Sequence, residues 1–377
     1  MENNGITRQE KNGFGGGEKP PSLFSRLNIE IGGGISVTDK MAFARNLATM
    51  LKAGLALSRA LSVITRQSKK RSVVAVVRAL GEGITRGETL SAGLSRFPRV
   101  FSPLFVAVVK AGEESGTLFE SLTTVGEHLG KSYELEKRVR AALIYPAIIL
   151  IAMAVVAAIM LFYVVPVLST TFEELGVALP LSTRIVIGAS AFLHDSLSLS
   201  LAIFAGALLA FAAAAGTKKG RHFFDLLVLH TPILSLLVEE VNVARTARTL
   251  SSLLSAGIPM TEALAVTEEV LQNSYYRAAV AEARDGVGKG VALSATFARY
   301  EKIYPPVFGE MVAVGEETGK LSAMLLETGL FYEGEVERQT RDLAAVIEPF
   351  LMVVIGIAVG FFALAMITPM YTLVGSI

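Results

Sequence analysis

Gly112-Glu113-Glu114-Ser115-Gly116, followed by Thr117-Leu118, returns later in the chain as Gly315-Glu316-Glu317-Thr318-Gly319. The offset is 315 − 112 = 203 residues. Working outward, the same offset aligns Arg45 with Arg248, Ala53-Gly54-Leu55 with Ala256-Gly257-Ile258, and Ala60-Leu61 with Ala263-Leu264. It also aligns Gly87 with Gly290, Pro103 with Pro306, Pro146 with Pro349 and Pro166 with Pro369. One gapless register held over that distance marks an internal duplication. Each copy comprises a unit of about 100 residues and the apolar helix that follows it, the scale of one domain.

Each unit reads as all-helical. In Met41–Lys52, Ala44, Leu47, Ala48 and Leu51 repeat at helical spacing, with Thr38 and Asp39 as cap and acidic first turn. Gly54 and Gly257 are suited to end that helix in the left-handed conformation. Leu57–Ile64, Ser72–Ile84 and Thr89–Arg96 read as shorter helices, with Gly81–Gly83 and Gly87 as interruptions. No sustained alternation suggests strands, so a small bundle of about six helices is expected for each unit. From Leu118 to Leu168 nothing but Pro146 breaks the pattern, a rod of about 75 Å if helical throughout. Pro146 and Pro349 are expected to kink the two rods where they enter a bilayer.

The composition points to that bilayer. The chain of 377 residues is 52% hydrophobic and 18% charged, with a mean hydropathy of +0.52. No charge occurs in 141–172, in 196–217 or after Glu348, and each run is long enough to span. Spans are placed at Ala147–Leu168, Leu197–Ala215 and Phe350–Thr372. Basic residues cluster before the first span (Lys131, Lys137, Arg138, Arg140), after the second (Lys218, Lys219, Arg221) and before the third (Arg338, Arg341). The expected topology is therefore a cytoplasmic N-terminus and an external C-terminus. Met1–Ser22 lacks the apolar core of an export signal. The expected organisation is a flexible leader (1–37), bundle 1 (38–140), span 1 (141–172), external loop (173–195), span 2 (196–217), bundle 2 (218–346), and span 3 with a short tail (347–377).

Composition also excludes functions. Zero Cys removes thiol catalysis, disulfides and Cys-ligated metals, and a net charge of +1 gives no reason to expect nucleic acid. Gly315–Lys320 is a failed phosphate loop: its glycines are one residue too close, Leu321 replaces Ser/Thr, and no strand precedes it. The Gly112–Gly116 and Gly315–Gly319 segments are read instead as turns opening the long helices, with the acidic residues near the positive end of the dipole. The alternative is that Glu113, Glu114, Glu316 and Glu317 face a partner or cation. His128, His194, His222 and His230 have no metal-ligand spacing and are expected at surfaces or interfaces. Glu348 beside Pro349 is expected at the membrane interface, and Gly356-x-x-x-Gly360 permits close helix packing and self-association. No catalytic, cofactor or metal constellation emerges.

The duplicated unit, the three spans and their order resemble a known family, the inner-membrane platform proteins of type II secretion and type IV pilus machines. The resemblance is carried by Phe43–Gly54, Val109–Leu118, Ala141–Pro146, Arg248–Gly257, Gly315–Gly319 and Pro369-Met370-Tyr371. It implies a non-enzymatic scaffold whose cytoplasmic bundles meet a hexameric assembly ATPase. It further implies that the membrane part acts on pilins or pseudopilins, beside other inner-membrane assembly proteins, with a homo-oligomer expected. Some secretion-branch members are reported to bind calcium through the glutamate matching Glu113 and two further acids. Those two positions are Arg59 and Thr117 here, so no such site is expected in the first unit. A transporter with duplicated spans is the alternative reading.

Overall fold

A computed structural model describes residues 34–174, 181–195 and 232–374, together with isolated positions between 199 and 226. The leader through residue 33, most of the span expected at 196–217 and the tail after residue 374 lie outside the described residues. Among the described residues the chain is helical and contains no strand. Unit 1 comprises α1 (Val37–Lys52), α2 (Leu57–Gln67), α3 (Arg71–Thr85), α4 (Leu90–Ser95), α5 (Pro103–Ser115) and the start of α6 (Leu118–Ile159). α7 (Val165–Glu174) and α8 (Leu181–Asp195) follow. Unit 2 repeats the series as α9 (Pro232–Ser255), α10 (Met260–Val270), α11 (Ser274–Val287), α12 (Leu293–Phe297), α13 (Pro306–Thr318) and α14 (Leu321–Val374). The duplication is geometric to the residue: the left-handed glycines 54, 87 and 116 recur 203 positions on as Gly257, Gly290 and Gly319.

Local chemistry sets the boundaries. α1 begins earlier than expected, because Ser36 rather than Thr38 is its cap. The Ser36 hydroxyl accepts from the Asp39 amide, and Asp39 accepts from the Ser36 amide at 3.0 Å in a reciprocal capping box. Residues 36 and 37 thus belong to the fold and not to a leader. Lys70 lies 2.6 Å from the same Asp39 carboxylate and ties the start of α3 to that of α1. Gly81 and Gly83 do not interrupt α3, which runs through both. Gly83 lies close under the Glu88 carboxylate, 2.7 Å from where its Cβ would be, so a side chain there would have to displace that carboxylate.

Helix α1 packs along α6, and its duplicate α9 packs along α14. The buried apolar residues of both units form one continuous core, with α5 of unit 1 against α9 and α10 of unit 2. The copies solve one packing problem differently. Phe43 meets Phe101 in unit 1 with ring centroids 5.7 Å apart. The equivalent residues in unit 2 are Thr246 and Tyr304, whose hydroxyls hydrogen-bond at 3.0 Å in a buried site. The pairing keeps both hydroxyls satisfied, and the volume lost at Thr246 is made up by Tyr276 and Phe297, which pack on Tyr304 where unit 1 has Val73 and Leu94.

Among the described residues, two helices are long and apolar enough to cross a membrane, Leu118–Thr171 and Leu321–Thr368, by length and composition. Their apolar side chains point outward: Ile148, Ile151, Val155, Phe350, Ile357 and Leu364 are all exposed. Such an apolar surface is not stable against water and requires lipid or protein cover. The first rod is not uniform, since Met160–Val164 form a π turn before Pro166. Proline has no N–H to donate and crowds the preceding turn, and a widened turn relieves both. Within the segment expected as an external loop, 173–195, residues Leu181–Asp195 form an apolar helix. α8 buries Val186 against Val165, Ala365 and Met366.

Candidate functional site

The doubled acidic motif is a clasp inside each unit. Gly112–Ser115 are the last turn of α5, not the start of α6, and Gly116 ends α5 in the left-handed conformation at φ 76°. Glu113 therefore reaches backward across the unit. Its carboxylate accepts the Leu90 amide and, at 2.8 Å, the Ser91 amide, the orphan donors at the start of α4. Glu316 does the same for α12, accepting from the Leu293 amide at 2.6 Å, the Ser294 amide at 3.1 Å and the Ser294 hydroxyl at 2.5 Å. The acids do lie at the positive ends of helix dipoles, but those of α4 and α12 rather than of the long helices.

Gly112 and Gly315 are not turn residues either. Both are buried inside helices where the next rod passes: a Cβ on Gly315 would lie 2.8 Å from Leu321 Cα, and one on Gly112 would overlap Ser121. Glu114 and Glu317 are exposed. With both Glu113 oxygens committed to amides, and Arg59 and Thr117 offering no carboxylate, the residues of unit 1 do not fit a calcium ion. Among the described residues no group of three or more His, Asp or Glu is arranged to hold a metal.

The second element of the site is a neck where α6, α9 and α14 meet above the apolar rods. Leu135, Leu237 and Val336 form its core, one residue from each helix. Arg138 pairs with Glu337, joining the two rods directly, and Arg245 lies 3.5 Å from Glu136. Within unit 2, Arg248 grips Glu333 through two bonds, one of 2.8 Å. His128, expected at a surface or interface, is 6% exposed and lies between the units, with Nδ1 3.3 Å from Ser252 Oγ. Burial, then the charges of Arg248 and Arg245, pushes its pKa down to about 4. Glu240 is equally enclosed and its Oε2 has no hydrogen-bond partner. Burial, then the nearby Glu335, raises its pKa to about 7. Sequence reading missed the neck because its residues come from three distant segments and carry no motif.

Below the neck, α6 runs through Pro146 and α14 through Pro349 without ending. α8 bridges the rods: Thr183 Oγ1 donates to Ala365 O and Ser190 Oγ to Leu161 O, both at 2.5 Å. Gly356 and Gly360 face open space, with nothing within 4 Å of a Cβ at either. Glu348 is exposed beside Pro349.

The family model for type II secretion system (T2SS) protein F matches residues 43–166 and again 246–369. Both limits recur at the 203-residue offset, and together the matches cover well over half the chain. The chain belongs to the type II secretion system protein F family. Relatives lie in both branches of that family. Type IV pilus assembly protein PilC of Thermus thermophilus is 36% identical over 345 residues, 91% of this chain and 84% of the relative. Its namesake in Myxococcus xanthus is 31% identical over 359 residues, 95% and 86% of the two chains. Type II secretion system protein F of Aeromonas hydrophila is 33% identical over 344 residues, 90% and 87%. Each of the two matched segments contains one of the twin clasps.

Proposed function

We propose that this chain is the non-enzymatic inner-membrane platform of a type IV pilus or type II secretion machine. Two cytoplasmic six-helix units receive a hexameric assembly ATPase, and the membrane rods pass displacement to pilins or pseudopilins entering a fibre. In this reading 196–217 supplies a third span, the N-terminus is cytoplasmic and the C-terminus external. Copies of the chain associate in the bilayer alongside other assembly proteins. The observation that carries the reading is mechanical. Each unit is continuous with an apolar rod, and the rods are cross-tied at the neck by Arg138–Glu337 and Leu135–Leu237–Val336. A push on either unit is thereby transmitted to both rods.

Because the units share one core, the test uses the full chain in detergent. It is expected to co-purify with the assembly ATPase of its own organism, and absence of binding refutes the reading. Labelling that finds positions near Ser91 and Ser294 on opposite sides of the membrane refutes it equally. Substrate flux through the purified chain in liposomes would instead favour a transporter.

A further inference from the structure

The two units have diverged in charge at one matched place. Over residues 57–86, the α2–α3 pair and the residue capping it, unit 1 carries Arg59, Arg66, Lys69, Lys70, Arg71, Arg78 and Arg86 against Glu82 alone, 7 − 1 = +6. The duplicate, 260–289, carries three basic and five acidic residues, 3 − 5 = −2. Between α2 and α3 lies a groove of about 550 Å³ with Arg66, Arg78 and Arg86 on its walls against one carboxylate, Glu82, and with Ser62 and Thr65 among its hydroxyls. Gly81 forms part of its floor. Arg86 has only a long contact to Glu88 at 3.4 Å, and Arg66 and Arg78 are exposed.

In unit 2 the same helix pair is bridged internally. Arg284, at the position of Gly81, pairs at 2.6 Å with Glu268, at the position of Thr65. Glu269 occupies the position of Arg66. Unit 2 thus shows a carboxylate–guanidinium pair between these helices, while unit 1 has Thr65 and Arg66 in place of the two glutamates and Gly81 in place of the arginine.

We infer that the α2–α3 groove of unit 1 docks an acidic segment of a partner polypeptide, whose carboxylates take the place that Glu268 fills in unit 2. The groove is concave, and a side-chain-bearing helix or strand enters it where a flat bilayer does not. α2 and α3 pack on each other and on α1 and α4, at one remove from the rod α6 that leads to the membrane. Bidentate guanidinium–carboxylate contacts supply both strength and register. The inference rests on the platform reading for the cytoplasmic placement of unit 1.

The test uses the full chain in phosphatidylcholine nanodiscs. The probe is a fluorescein-labelled helical peptide with glutamates at i and i+4, with its glutamine counterpart as control. The glutamate peptide is expected to bind and to weaken with salt. Arg66→Glu with Arg78→Glu is expected to weaken it about tenfold or more. Thr65→Glu with Gly81→Arg transplants the unit 2 bridge without changing net charge. A Cβ at Gly81 meets only Leu61 at 3.8 Å, so the substitution starts without a backbone clash, and peptide binding is expected to fall as far.

Equal binding of the glutamine peptide overturns the inference, as does unchanged affinity in either double variant with thermal stability retained. Capture of phosphatidylglycerol vesicles through the same arginines, without peptide binding, overturns it in favour of a lipid-facing surface. Co-purification of the ATPase with the same variants reports separately on the platform: if it persists while the peptide never binds, the groove falls and the platform stands.

Discussion

Replacing Glu316 by alanine removes three acceptor contacts from the start of α12, and replacing Glu113 removes two from the start of α4. The duplicates are not equally protected against this loss. Thr89 caps α4 through the Ala92 amide, whereas α12 begins at Ala292 with no side-chain cap. Hydrogen bonds to a charged acceptor contribute about 1.5–3 kcal/mol each when the donor is otherwise left unpaired. Water reaches part of these half-buried sites, so we expect a loss of about 3 kcal/mol for Glu316→Ala and about 2 kcal/mol for Glu113→Ala. Hydrogen exchange of the full chain in detergent reads this locally. The Leu293 and Ser294 amides should exchange roughly 100-fold faster in Glu316→Ala, since each 1.4 kcal/mol is a factor of ten. Glu317→Ala, one residue away and exposed, should leave them unchanged. If protection at Ser294 moves less than about threefold, or if the two neighbouring acids behave alike, the clasp is not what holds α12.

The remaining expectations concern the neck and the close approaches. Gly315→Ala drives a methyl group against the α14 backbone at Leu321 and should cost more than about 2 kcal/mol in thermal unfolding, and Leu321→Ala should not rescue it because the clash is with Cα. His128 binds a proton in the unfolded chain below about pH 6.5 but in the fold only near 4. Wild type should therefore lose up to about 3 kcal/mol relative to His128→Asn as pH falls through that window, and parallel stability curves would refute the burial. Glu240 has the opposite sign: the fold holds its proton up to about pH 7, so its stabilising contribution is full below about 4.5 and declines as pH rises. Glu240→Gln should be neutral at acid pH and stabilising above 7. A Cβ at Gly356 meets nothing within 4 Å, so Gly356→Leu should preserve the melting temperature while reducing cross-linking between copies, and unchanged cross-linking would exclude that face from self-association.

Much of the fold was legible because helical periodicity and duplication are local or register-based signals. Offset matching marked Gly54, Gly116, Gly257 and Gly319, all of which adopt positive φ. What escaped was long-range. The partner of Glu113 lies 23 residues back at Leu90, a spacing set by how α4 folds against α5 rather than by any periodicity. Gly112 was read as a turn because glycine serves turns and close approaches equally well, and only the position of Ser121 decides between them. The capping box at Ser36 was missed for a simpler reason: Thr38 is an equally good cap by type, and the choice depends on which hydroxyl faces the Asp39 amide. The helix 181–195 was hidden by Arg184 and its short length, although Thr183, Val186 and Ser190 place its buried face at helical spacing.

Duplication explains why the neck is asymmetric. In unit 2 the first helix, α9, is 24 residues long and extends beyond its unit to meet both rods, whereas α1 has 16 and stops at the body of unit 1. The extension contributes Leu237, and the shared part of the helix supplies Arg248, whose two-bond grip on Glu333 fixes α9 to α14. Unit 1 has no counterpart to that grip, since Gly130 stands where Glu333 does. Unit 2 is therefore locked to its rod by a guanidinium pair, while α1 of unit 1 holds α6 through apolar packing and the Lys52 ammonium over the Phe119 ring. If force enters through the cationic groove of unit 1, it passes through the more compliant joint before reaching the locked one. Installing the missing grip by Gly130→Glu opposite Arg45 should stiffen that joint: a Cβ there meets only the end of Met41 at 3.4 Å. The expected readout is slower exchange in α1 with fibre assembly impaired, and faster assembly in the stiffened variant would refute the idea that compliance at unit 1 serves the machine.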